Sequence, residues 1–169
     1  MRKILVFGNS GSGKSTLAKQ LSEADGMAHL DLDTLAWLPV IPPQRAEIAE
    51  SQQKIAAFLA AHETWVIEGG YADLLDIVGP QASEIIFLNL DVTQCIENAK
   101  NRPWEPHKYV SKQAQDKNLV MLIDWIKAYS ERDDVFSHRA HLRFYDGFNG
   151  KKTMFVNNAR IPLQALKRD

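Results

Sequence analysis

Gly8-Asn9-Ser10-Gly11-Ser12-Gly13-Lys14-Ser15 has the spacing G-x-x-x-x-G-K-[ST] of a loop that cradles phosphate, and it directly follows the apolar run Ile4-Leu5-Val6-Phe7. With glycine at roughly 7% of residues, this pattern arises by accident in only about one chain of this size in two hundred. Its context is also right: a strand-like run leads in, and Leu17 and Leu21 lead out on one helical face. Glycines here let consecutive amides turn into one concavity and hold an anion at a helix N-terminus. The expected phosphate ligands are Gly8, Ser10, Gly11, Ser12, Gly13, Lys14, Ser15 and Thr16. Lys14 would reach the β and γ phosphates, Ser15 would coordinate Mg²⁺, and Thr16 would touch the α-phosphate.

Such a loop needs a sheet to carry it. Strand signals fall at residues 4–7, 28–32, 65–68, 84–90 and 153–156. Between them, helical spacing covers 14–24, 44–62 and 113–131, and Asp91 with Gln94 has capping-box spacing for a helix through Ile96 and Ala99. Residues 142–145 could form a hairpin. A helix over 135–148 ended by Gly150 is preferred, because it supplies the crossover into a parallel fifth strand. Strands alternating with helices predict an α/β protein, a parallel sheet with helices on both faces. The 169 residues fit one domain, 1–169, with no repeats or low-complexity segments.

Ligands of open α/β sheets bind beyond the carboxyl ends of the strands, so the residues after each strand carry the next clues. After the second come Asp31, Asp33 and Trp37. Asp33 is the candidate to orient an acceptor hydroxyl, take its proton or help hold the metal, its alternative being a helix N-cap. Asp31 reads as a solvated or capping residue, and Trp37 as a wall of the acceptor pocket or simply core. After the third come Glu68-Gly69-Gly70-Tyr71. Glu68 would hold Mg²⁺ directly or through water, while Gly69 and Tyr71 would meet the substrate, the glycines having a tight turn as their alternative. Lys100-Asn101-Arg102-Pro103-Trp104-Glu105-Pro106-His107-Lys108 reads as a cationic lid or a solvated loop. Arg102 is its catalytic candidate, with Arg132, Arg139 and Arg143 as weaker ones.

A net charge of −1 gives no field for polyanions, which disfavours nucleic acid as a partner. Cys95 is the single cysteine, so no internal disulfide is possible; a buried apolar role is expected for it, in a reducing cytoplasm. The apolar run after Met1-Arg2-Lys3 ends at Phe7, too short for a signal peptide, and no stretch suits a membrane span. The five histidines offer no paired metal-ligand spacing beyond His138 and His141, and no structural metal is expected.

Taken together, the glycine loop, His29-Leu30-Asp31-Leu32-Asp33-Thr34-Leu35-Ala36-Trp37, Trp65-Val66-Ile67-Glu68-Gly69-Gly70-Tyr71 and Arg132-Asp133-Asp134 resemble the adenylate-kinase-related topology-modulation (FlaR-type) proteins. The resemblance implies a P-loop NTPase fold like that of nucleoside monophosphate kinases, five parallel strands in the order 2-3-1-4-5. It also implies ATP with Mg²⁺, an acceptor-binding region near 35–63 and a lid near 102–116. Adenylate kinases carry Asp-Gly-Phe-Pro-Arg after strand three. Here Glu68-Gly69-Gly70-Tyr71-Ala72 lacks that acceptor-binding arginine. Shikimate kinases are similar in the Asp31-x-Asp33 pair but have a third glycine in place of Tyr71.

The expected activity is an ATP- and Mg²⁺-dependent kinase of a nucleotide or other small hydroxylated acceptor, with the protein a monomer or weak dimer. The alternative is a nucleotide-dependent regulator or nucleic-acid-associated ATPase. A GTPase switch is disfavoured, because no Asn-Lys-x-Asp motif is present and Asp76-Ile77-Val78-Gly79 falls a helix beyond the third strand.

Overall fold

Ile4 and Val6 face one side of a parallel sheet and Leu5 and Phe7 the other, and all four are wholly buried in the computed structural model, which describes residues 1–158. An unbroken apolar run is what a strand covered on both faces requires. The last eleven residues of the expected domain, 159–169, lie outside the described ones.

The elements run β1 (Lys3–Gly8), α1 (Lys14–Asp25), β2 (Ala28–Asp31), α2 (Asp33–Ala36), α3 (Ile48–Ala61), β3 (Trp65–Glu68), α4 (Ala72–Val78), β4 (Glu84–Leu88), α5 (Val92–Lys100), α6 (Lys112–Lys127), α7 (His138–Gly147) and β5 (Lys151–Phe155). The sheet order is β2-β3-β1-β4-β5, every pair parallel, as the resemblance implied. On one face Leu17 and Leu21 of α1, Cys95 of α5 and Ile126 of α6 close over Ile4 and Val6. On the other, Ile55 of α3 and Leu74 and Leu75 of α4 join Leu5 and Phe7, with α7 adding Leu142 and Phe144. Phe7 stacks on its cross-strand neighbour Phe87 with ring centroids 4.8 Å apart. The register sets Val6 beside Glu68 and Glu68 beside Asp31, so two acids end adjacent strands next to the glycine loop.

Several boundaries shift for local reasons. β4 stops at Leu88, short of Leu90, and β5 begins at Lys151, two residues before the expected 153. The helix expected over 44–62 starts only at Ile48, because Arg45 is held extended by an antiparallel bridge to Trp37. Asp91 does cap α5, accepting from the Gln94 amide at 2.7 Å, while the Gln94 side chain turns to Asn98, so half of the capping box forms. The crossover before β5 is helical, but α7 ends at Gly147 and Gly150 lies beyond it, packed against the Phe148 ring. Among the described residues no helix is long and apolar enough to cross a membrane.

Candidate functional site

The glycine loop is built so that α1 begins with open amides. Gly13, its N-cap, is left-handed at φ 91° and supplies no side-chain cap. The first N–H groups of a helix have no partner of their own, so they are left for a ligand. Gly11, at φ 76°, is required twice over: an added Cβ would also sit 2.4 Å from the Cys95 carbonyl oxygen of α5. Ser12 is buried and, among the described residues, its hydroxyl has no hydrogen-bond partner. An orphaned hydroxyl beside open amides is a site waiting for a polar ligand. Gly11 to Thr16 form one wall of a cavity of about 780 Å³, whose other walls include Asn98, Arg102 and Lys108. Gly8 ends β1, and neither it nor Ser10 lines that cavity.

Lys14 donates to the Asn9 carbonyl at 2.8 Å, folded back over the loop. Burial pushes its ammonium below the usual lysine range, opposed first by Glu68 and then by Asp33. A bound polyanion would offset that penalty and favour the charged form, as Glu68 and Asp33 do. Ser15 donates to Glu68 Oε2 at 2.9 Å, and the His29 ring donates to Oε1 at 3.1 Å. Glu68 is buried at the end of β3, and among the described residues neither of its oxygens is within ion-pair distance of a Lys or Arg nitrogen. A hydroxyl and a carboxylate without a fixed cation form a hard-oxygen pair that suits Mg²⁺. His29 was not foreseen as a partner. It sits on β2 beside Val66 in the register, two residues before Asp31, and only strand pairing brings it to Glu68.

Asp33 is the first residue of α2, whose N-cap is Leu32 and carries no side-chain cap. The capping role therefore falls to Asp31, whose Oδ1 accepts from the Asp33 amide at 2.9 Å. The Asp31 carboxyl is pushed up to about 6 by burial, then by the charges of Asp33 and Glu68. The Asp33 carboxylate is half exposed, with Lys108 of the loop after α5 3.7 Å from Oδ2. Its Oδ1 accepts a short hydrogen bond from the Tyr71 hydroxyl, which itself accepts from the Trp37 indole at 2.7 Å. Tyr71 is buried and its polar atom is spent on those two residues. Trp37 keeps an exposed edge.

The loop expected to be a lid is stapled by Gln115 of α6. This buried side chain accepts from the Glu105 amide at 2.8 Å and donates to the Pro103 carbonyl at 3.0 Å. Arg102 lines the cavity and pairs with Glu105 at 3.3 Å, and its charge bears on Lys14. Lys108, in sequence one cation of a basic stretch, is the lid residue that reaches Asp33.

Other candidates lie elsewhere. The space on the Cβ side of Gly69 is filled by Leu32, 2.8 Å from an added Cβ, so that glycine allows close packing there. Arg132 forks onto Asp134 at 2.8 Å and stacks 3.5 Å from the Trp125 ring centroid. Arg139 pairs with Asp133 on the surface. Arg143 lines a second cavity at the opposite end of the strands, with Gly79 and Pro80. None of these three lines the phosphate-loop cavity. Cys95 is wholly buried and its thiol is pushed up to about 11 by burial. His138 and His141 bond separately, to Asn89 and to Gly70 with Tyr129.

No family model matches the chain. The uncharacterized protein YqaC of Bacillus subtilis (strain 168) is 28% identical over 104 residues, 62% of this chain, and the chain spans 58% of that curated relative's length. Among solved structures, a gluconokinase from Sinorhizobium meliloti 1021 aligns with TM-score 0.52 at 16% identity, covering 97% of this chain and 86% of its own. A shikimate kinase from Bacteroides thetaiotaomicron aligns with TM-score 0.52 at 15% identity, covering 97% and 93%. A sugar kinase from Janibacter sp. HTCC2649 gives 0.50 at 13%, covering 98% and 90%. At these identities the likeness is one of fold, and with the parallel sheet and glycine loop it gives this chain an α/β P-loop NTPase architecture.

Proposed function

We propose that this protein is an ATP- and Mg²⁺-dependent phosphotransferase acting on a small hydroxylated acceptor, a nucleotide or another metabolite. The observation that carries it is the convergence of Lys14 and the Ser15–Glu68 pair on one strand edge with the half-exposed Asp33 alongside. A nucleotide-driven regulator needs the first group but not an acceptor carboxylate beside it. The likeness in fold to three small-molecule kinases and the resemblance to topology-modulation proteins support the same reading.

In this reading the loop amides and Lys14 bind the β and γ phosphates, and Ser15 and Glu68 hold Mg²⁺, directly or through water. When bound, the ion would neutralise charge developing between the β and γ oxygens. Asp33 accepts a hydrogen bond from the acceptor hydroxyl and aims its oxygen at the γ phosphorus. The acceptor O–P bond forms as the P–O bond to the β phosphate breaks, and the hydroxyl proton passes to Asp33. Arg102 and Lys108 supply positive charge from the loop side and exclude water.

The test is ADP release by the purified protein with ATP and Mg²⁺ against a panel of nucleoside monophosphates, nucleosides and hydroxylated metabolites. A sharp rise with one acceptor supports the kinase. A rise with DNA or RNA alone overturns it in favour of the regulator.

A further inference from the structure

Tyr71 and Trp37 stand where an acceptor would be expected to touch protein, but their polar atoms are already committed. The Trp37 indole can only donate, so the Tyr71 oxygen must accept from it at 2.7 Å. The one proton on that oxygen then points to Asp33 Oδ1. Tyr71 is 4% exposed, so water offers no competing partner. The direction of the chain is therefore determined, Trp37 to Tyr71 to Asp33, and it ends on an acceptor.

The ring is clamped as well. The Arg45 guanidinium lies 4.9 Å from the Tyr71 ring centroid and 5.9 Å from that of Trp37. Its charge is matched by Asp73 at 3.0 Å, and its Nε donates to the Ala36 carbonyl at 3.2 Å. The bridge between Trp37 and Arg45 ties the strut to the same short segment. Phe136 stacks parallel to Trp37, 6.4 Å between centroids, with the Arg45 guanidinium 5.5 Å from the Phe136 ring centroid. Trp37, Arg45 and Phe136 thus converge on one phenol, and that phenol addresses one carboxylate oxygen.

We infer that Tyr71 is a positioning residue for Asp33: with Trp37 behind it and Arg45 over its ring, it locks Oδ1 and leaves Oδ2 as the oxygen that meets the acceptor hydroxyl. The inference rests on the kinase reading for the role of Asp33, but the relay itself does not. The charged groups bearing on Asp33 are Lys108, Lys14 and Asp31. Burial, then the charge of Asp33, keeps the Tyr71 phenol protonated and hence a donor.

The experiment uses Tyr71→Phe and Trp37→Phe in the full chain. Tyr71→Phe keeps the ring under Arg45 and removes only the hydroxyl. It is expected to lower kcat about 10- to 100-fold, less than the ~10²–10⁴-fold a positioned acid–base group itself contributes because Tyr71 acts only through Asp33, with the KM for acceptor and for ATP little changed. Trp37→Phe should lower kcat less, and the double variant should match Tyr71→Phe, because the two act in series. A rise in acceptor KM at unchanged kcat, or full activity, overturns the inference. A second readout needs no turnover. The Trp37 indole N–H resonance should move upfield in Tyr71→Phe and should also respond to Asp33→Ala, a residue with which the indole shares no hydrogen bond. An indole signal unmoved by both overturns the relay. If the relay signature is present but no acceptor is phosphorylated by the parent protein, the kinase reading fails and the relay stands.

Discussion

The Ser15 hydroxyl donates to the Glu68 carboxylate at 2.9 Å, joining the first turn of α1 to the end of β3 across 53 positions of sequence. That bond exists because β1 and β3 are adjacent in the sheet, so the strand after which the glycine loop emerges lies beside the strand that ends in an acid. An all-oxygen pair at the mouth of a phosphate loop is the feature that most narrows the chemistry.

Replacing Glu68 with Gln keeps the shape and removes the charge. Nucleotide binding in the presence of Mg²⁺ is expected to weaken about 10- to 100-fold, as for loss of a group that holds or orients a metal's ligands. Binding measured with EDTA should change little. Titration of a fluorescent ATP analogue with and without Mg²⁺ checks this, and equal losses in both conditions would contradict it.

The two left-handed loop glycines should respond differently to alanine. At Gly13 an added methyl meets open space, so only backbone strain of about 1–2 kcal/mol is expected. At Gly11 the same methyl would sit 2.4 Å from the Cys95 carbonyl, so the cost should be larger, because α5 must move. Urea denaturation of the two variants gives the order.

His141 links acidity to folding. Its Nε2 donates to the Gly70 carbonyl and its Nδ1 accepts from the Tyr129 hydroxyl, both at 2.7 Å, which fixes the neutral ring behind the turn that carries Tyr71. Burial pulls its pKa from 6.5 to about 4. The unfolded chain therefore takes up this proton first, and the stability this group secures is complete above pH 6.5 and declines towards pH 4. About 2 kcal/mol should be lost from this source between pH 7.5 and pH 5. Asp31, whose folded pKa is raised, acts in the opposite sense, so the comparison is parent minus His141→Gln. Urea midpoints at the two pH values should differ less in the variant. The same difference in both proteins would contradict the assignment.

Gln115→Ala removes its bonds to the Glu105 amide and to the Arg102 and Pro103 carbonyls, which help hold the loop after α5 against α6. Freeing buried backbone groups costs about 1–3 kcal/mol, part of which should appear as weaker ATP binding by about 5- to 30-fold. Limited proteolysis should cut residues 101–111 faster in the variant, and ATP should slow that cutting in the parent.

Much of this was legible in the chain because it is local. Ile4 to Phe7 announce a strand buried on both faces, the glycine pattern announces its own loop, and Asp91 announces the start of α5. What stayed hidden depends on strands and helices meeting in space. That Leu32 packs against the Cβ side of Gly69 appears only once β2 and β3 are side by side. Trp37 and Tyr71 look like pocket walls until their hydrogen bonds are traced to Asp33. Arg45 sits inside a stretch that reads as helix, and only its bridge to Trp37 and ion pair with Asp73 show it is a strut. Where the three late arginines go also depends on packing: Arg132 and Arg139 pair with Asp134 and Asp133, and Arg143 faces the far end of the sheet.

The most direct measurement is isothermal titration calorimetry of ATP with Mg²⁺ into the purified protein and into Lys14→Ala, each first shown to be folded by its circular dichroism and melting transition. Saturable heat at a single site per chain is expected for the parent, and none for the variant. No heat from the folded parent, or the same binding in Lys14→Ala, would contradict the central claim that this loop holds a nucleoside triphosphate.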